Sequence, residues 1–125
     1  MEKLKIQIVE DEPMYASYIE MIIDQMGYQS SKVSDNAEEA IQIAKHFNPD
    51  LLLMDINIEG KMDGIETAVA INEFSPTPVI FITSLSDTET FEKAKSTIPF
   101  AYITKPFDAP ILQRSIELAL SLIHI

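Results

Sequence analysis

A chain of 125 residues with 46% hydrophobic content has room for one compact domain with a real core. Nine Lys and Arg against 20 Asp and Glu leave a formal net charge of -11, which repels nucleic acid phosphates and anionic membrane surfaces and argues against direct DNA binding. There is no cysteine for a disulfide or thiolate metal site, no signal-peptide pattern in the opening MEKLKIQIVEDE, and no apolar run of membrane-spanning length; the expectation is a single cytoplasmic domain over residues 1–125.

Short apolar runs alternate with amphipathic segments, the pattern of strand and helix units wound into a parallel sheet. Residues 4–9 form the first apolar run. Residues 13–26 follow as a helix, with Met14, Ile19, Ile22, Ile23 and Met26 at near-helical spacing and Gly27 as its stop. Residues 28–33 read as a more polar strand at or near an edge. Asn36 and Glu39 then make a capping box for a helix with Ala37, Ala40, Ile41, Ala44 and Phe47 on its apolar side. The third strand is expected over 50–54, followed by a loop holding Gly60 and Gly64.

A shorter helix is expected over 65–74, ended by Ser75-Pro76-Thr77-Pro78 before a strand over 79–82. Asp87 can cap a weakly apolar helix over 88–95, the least firmly packed of the set. A last strand spans 100–103. Asp108 caps a final helix from about 109, where Pro110 is tolerated in the first turn. Leu112, Ile116, Ala119, Leu120 and Ile123 read as its core face. Ile111, Leu118, Leu122 and Ile125 read as a second stripe, expected to meet a second copy or an effector. The fold class is α/β, with five strands and five helices.

Ligands of an open parallel sheet bind outside the carboxyl ends of its strands. The residues there are Glu10-Asp11-Glu12 after the first strand, Asp55-Ile56-Asn57 after the third, Thr83-Ser84 after the fourth and Thr104-Lys105-Pro106 after the fifth. If the strand order is 2-1-3-4-5, the first and third strands are neighbours and Asp11 and Asp55 share a pocket. Several carboxylates so close raise one another's pKa unless a cation compensates. Oxygen ligands without nearby His or Cys suit Mg²⁺. Lys105 can neutralise the same pocket, and the Thr83 hydroxyl can bond a phosphoryl oxygen. An oxygen nucleophile, a metal, a fixed cation and hydrogen-bond donors are the parts of a phosphoryl-transfer site.

IQIVEDE, LLLMDINIEGKMDGIE, VIFITS and AYITKPF, in that order and spacing, resemble the receiver domains of two-component response regulators over essentially the whole chain. The resemblance implies a doubly wound, flavodoxin-like sheet of order 2-1-3-4-5. It implies Asp55 as phosphoacceptor, Glu10 and Asp11 as the acidic pair, Thr83 as switch hydroxyl, Tyr102 as switch aromatic and Lys105 as the family's lysine. The Mg²⁺ ligands it implies are Glu10, Asp11, Asp55 and the backbone carbonyl of Asn57, and it implies a cis Lys105-Pro106 bond. The implied partner is a sensor histidine kinase or phosphotransfer protein, with output through the face formed by the fourth helix, fifth strand and fifth helix. Such a protein acts on itself and is not an enzyme in the ordinary sense. The family often has a Met-Pro pair soon after the phosphoacceptor. Here residues 57–64 read one residue longer, which implies a more mobile loop, and Leu85 stands at a position that can alter phosphoryl lifetime.

Taken singly, these residues have plainer readings. Asp55 alone is a turn former, and only its company at four strand ends outweighs that. Glu12 reads as a first-turn helix residue, Asp63 and Gly64 as a turn, and Tyr102 as a half-buried core residue if not a switch. His46 and His124 read as surface residues, and Met14, Met21, Met26 and Met54 as core filling. A flavodoxin-like electron carrier shares the fold but needs a phosphate cradle where this chain has Glu10-Asp11-Glu12-Pro13. An aspartate-nucleophile phosphohydrolase needs a second aspartate where this chain has Asn57. A degenerate receiver that serves only as a docking module usually loses an acidic or lysine partner, and this chain keeps them.

Overall fold

The computed structural model describes residues 3–84 and 88–123. The elements are β1 (Lys5–Val9), α1 (Pro13–Gln25), β2 (Gln29–Ser30), α2 (Ala37–Phe47), β3 (Leu51–Asp55), α3 (Gly64–Phe74), β4 (Val79–Thr83), α4 (Thr88–Lys95), β5 (Ala101–Thr104) and α5 (Ala109–Ile123). The five strands form one parallel sheet in the order β2-β1-β3-β4-β5. Every residue of β3 and β4 is buried, as expected of central strands covered on both faces.

Side-chain alternation divides the core in two. Ile6 and Ile8 of β1, Leu51 and Leu53 of β3, and Ile80 and Ile82 of β4 face the layer that holds α1 and α5. Val9, Leu52, Met54 and Phe81 face the layer of α2 and α3. Each of these side chains, once buried, contributes roughly 1.5–3 kcal/mol relative to exposure.

β2 is shorter than the expected 28–33. The amide of Ile8 takes the Ser31 hydroxyl at 3.0 Å in place of a backbone carbonyl, and pairing resumes only at the Val9–Ser34 bridge. The side chain of Asn36 accepts from the Glu39 amide at 2.9 Å, one half of the expected capping box, and the Glu39 carboxylate lies 3.6 Å from the Lys32 ammonium. α3 starts one residue early because Asp63, read as a turn residue, forms a full capping box with Glu66. Asp108 caps α5 through the Ile111 amide at 3.2 Å.

Three packing expectations need correction. Met14 and Met21 are exposed because they lie on the outer face of α1; Met54 fills the core, and Met26 packs at its margin. Ile123 is exposed too, one turn beyond the last residues of α5 that reach the sheet, whereas Leu112, Ile116, Ala119 and Leu120 are buried. Ile111, Leu118 and Leu122 of the second stripe face water. His46 is on the surface. Leu85, Asp87, His124 and Ile125 lie outside the described residues. No helix among the described residues is long and apolar enough to cross a membrane.

Candidate functional site

β1, β3, β4 and β5 end side by side, and that topology brings the sequence-selected residues together. The register pairs Val9 with Met54, Asp55 with Ile82 and Thr83 with Thr104, so Glu10, Asp55, Thr83 and Lys105 follow at one edge. Carboxylate oxygens of Glu10, Asp11, Glu12 and Asp55 all lie within 4.8 Å of one another. Glu10, Asp55 and Thr83 are buried.

Lys105 is the cation of this cluster. Its Nζ lies 2.8 Å from Oε1 of Glu12, 2.9 Å from Oε2 of Glu10 and 3.3 Å from Oδ2 of Asp55. The other Asp55 oxygen accepts from the Asn57 amide at 2.9 Å. The amide of Lys105 donates to the Thr83 carbonyl at 2.8 Å, which ties the end of β5 to that of β4. The Lys105-Pro106 bond is cis, as the resemblance implied.

Burial and close charge shift the protonation of Asp11, Asp55 and Lys105. Asp11 is pushed up to about 6, first by burial and then by its hydrogen bond to Asp55 and that group's charge. Asp55 is raised by burial and by Glu10, while the Asn57 amide pulls it the other way. For Lys105, burial works against the charged form, but hydrogen bonds to Glu12 and Glu10 and the charge of Asp55 outweigh it, so the ammonium titrates above an ordinary lysine.

One atom is left over. Oε1 of Glu10 is buried without a hydrogen-bond partner. An unpartnered carboxylate oxygen in a concentrated negative field is what a hard cation satisfies, and an all-oxygen donor set fits Mg²⁺.

Glu12 corrects the sequence reading. It occupies the N-cap position of α1, makes no capping hydrogen bond with its side chain, and reaches into the site to pair with Lys105. Its membership in an unbroken acidic triplet was the available signal. Gly64, read as part of a turn, is instead a close-approach residue. A Cβ there would collide with the Asp55 carbonyl oxygen and come within 2.7 Å of the Ile56 Cα, while its amide donates to the Ile56 carbonyl at 2.8 Å. The start of α3 therefore packs directly on the chain that leaves the phosphoacceptor candidate. Ile56 and Ile58 anchor this loop in the core, and Glu59 bridges to Asn36. Tyr102 lies half-buried on β5, beside the core layer of α2 and α3.

Comparison with known proteins agrees with this arrangement. The family model for the response regulator receiver domain matches residues 6–117. The transcriptional regulatory protein PdtaR of Mycobacterium tuberculosis is 30% identical over 117 residues, a match covering 94% of this chain and 57% of PdtaR. The chemotaxis protein CheY of Halobacterium salinarum is 30% identical over 114 residues, covering 90% of this chain and 93% of CheY. Among solved structures, the signal receiver domain of a modulated diguanylate cyclase from Desulfovibrio desulfuricans G20 is 40% identical with a TM-score of 0.90, covering 97% of this chain and 96% of that one. The chain thus spans little more than half of PdtaR, but nearly all of CheY. By its sheet order, its acidic cluster with Lys105 and these matches, the chain belongs to the response regulator receiver domain family of two-component signalling.

Proposed function

We infer that this receiver accepts a phosphoryl group on Asp55 from a phosphohistidine of a sensor histidine kinase or phosphotransfer protein, in a Mg²⁺-dependent reaction, and switches conformation as a result. The observation that carries this reading is the position of the Asp55 carboxylate, within 4.8 Å of three other carboxylates and 3.3 Å from Lys105. Glu10, Asp11 and Asp55 would hold the ion through their carboxylates and Asn57 through its carbonyl. Bound there, the ion supplies positive charge to the oxygens of the transferring group.

An Asp55 oxygen attacks phosphorus, the new O–P bond forms, and the P–N bond to the donor histidine breaks with its electron pair returning to the imidazole. Lys105 donates to a phosphoryl oxygen, and the Thr83 hydroxyl, at the end of the adjacent strand, donates to another. Later attack of water at phosphorus releases inorganic phosphate and restores the carboxylate, so the protein acts on itself and is not an enzyme that turns over a metabolite. Thr83 and Tyr102 couple the modification to the face of α4, β5 and α5, where a second copy or an effector docks. The domain works in the cytoplasm and contacts neither nucleic acid nor membrane directly.

A receiver serving only as a docking module would have no use for a buried lysine held among carboxylates. Acetyl phosphate with Mg²⁺ should give a phosphoryl adduct on the wild-type protein by intact mass, and Asp55→Asn or Asp55→Ala should give none. An adduct of unchanged yield in either variant removes Asp55 from this role.

A further inference from the structure

An ammonium has three N–H donors, and those of Lys105 are engaged by three carboxylates. The Tyr15 ring, with its centroid 4.5 Å from Nζ, stands over the same group, and Tyr15 is itself braced by Phe107 at 5.6 Å. The side chains of Lys105, Glu10 and Asp55 are 4%, 1% and 1% exposed, whereas that of Glu12 is 48% exposed.

A phosphoryl group on Asp55 takes over the donor that now reaches the Asp55 carboxylate at 3.3 Å, and drawing the ammonium outward to it weakens the bond to Glu10 or to Glu12. Loosening Glu10 would break a pair whose two side chains are both almost fully buried, where the attraction is least screened by water. Releasing Glu12 returns a half-exposed carboxylate to water at little cost. Glu12 is also free to serve Lys105 because its side chain does no capping work at the start of α1.

We propose that Glu12 is a positioning residue for Lys105, holding the ammonium in the unphosphorylated protein and competing for it with the incoming phosphoryl group. This rests on the reading of Asp55 as phosphoacceptor. Glu12 thereby sets how readily the lysine is handed over, and its removal favours the phosphorylated state.

The test compares wild type, Glu12→Gln and Glu12→Asp, each also combined with Lys105→Met, using acetyl phosphate and saturating Mg²⁺ so that changes in metal affinity do not intrude. In this reaction the Asp55 O–P bond forms while the bond from phosphorus to the acetyl oxygen breaks and acetate leaves with the electron pair. Glu12→Gln should accelerate adduct formation about two- to fivefold, the range an ion pair of this exposure supports. Glu12→Asp, which keeps the charge, should stay closer to wild type. In the Lys105→Met background the Glu12→Gln effect should vanish, as a double-mutant cycle requires of residues acting through one another. If that background labels too slowly to follow, beryllofluoride affinity provides the same comparison. Wild-type labelling with an unchanged or slower Glu12→Gln, or an acceleration that survives Lys105→Met, overturns the role of Glu12 alone. Absence of labelling on wild-type Asp55 overturns the underlying reading and this role with it.

Discussion

The ring of Phe91 on α4 meets the ring of Tyr102 on β5 edge to face, with centroids 5.2 Å apart and planes at 85°. Only Ala94 of α4 is fully buried, and this pair ties the outer part of that helix to the sheet. Edge-to-face pairs contribute about 0.5–1.5 kcal/mol beyond the area they bury. Phe91→Ala should therefore lower stability by about 1 kcal/mol and alter the near-ultraviolet dichroism of tyrosine, in a protein without tryptophan to mask it. An unchanged melt and spectrum would show that the pair ties nothing together.

Asp11 gives the metal-free protein a defined pH response. Its folded pKa of about 6 lies above the ordinary 3.8, so folding favours the protonated form. The stability this contributes is complete below the unfolded pKa and is lost as pH rises through about 6. Asp11→Asn mimics the protonated group at every pH. Its advantage in melting temperature over wild type, without metal, should be small near about pH 4 and grow toward about pH 8. A difference that stays constant across that range contradicts the shift. The same variant should bind Mg²⁺ more weakly in a metal titration.

Gly64→Ala tests the close approach of α3 to the end of β3. The added methyl meets backbone on both contacted residues, and neither can rotate away as a side chain could. Overpacking of this kind costs about 1–3 kcal/mol or more, well beyond the small gain alanine offers a helix. Denaturant unfolding should show a clear loss, and an adduct at Asp55 should form more slowly because the loop is displaced. A neutral or stabilising result would mean that α3 moves aside without consequence.

The outer face of α5 carries the last prediction. Ile111, Leu118 and Leu122 are 49%, 57% and 56% exposed and recur at seven- and four-residue steps along one face of the helix. Leu118→Glu with Leu122→Glu should keep the fold and abolish any self-association that beryllofluoride induces, as read by sedimentation velocity. If wild type and variant remain monomeric with and without beryllofluoride, this face does not join two copies.

The sheet and its order were legible because β1, β3 and β4 are nearly uninterrupted apolar runs and the segments between them repeat at helical spacing. Asp55 and Thr83 were legible for the same reason, each following directly on such a run, and Lys105 because it stands just past the short fifth strand. What sequence did not convey were the side chains that leave their local role. Ser31 replaces a backbone partner of Ile8, so the second strand stops after Ser30. Asp63 and Glu66 build a reciprocal cap where the loop composition suggested a turn. Glu12 turns from its helix to a lysine 93 positions away, a contact no local pattern encodes. Met14 and Met21 are apolar enough to suggest core, but lie on the side of α1 opposite Ile19, Ile22 and Ile23 and face solvent.

The uneven burial of the strands and helices bears on amide exchange. Asp55 ends a strand that is paired on both sides and buried at all five positions, so its backbone should open only when the whole domain does. Thr88–Lys95 buries a single side chain and should exchange by local opening on a far shorter timescale. A phosphoryl group accepted at Asp55 would thus be borne by a strand that resists opening, while the neighbouring α4 could rearrange without disturbing that strand.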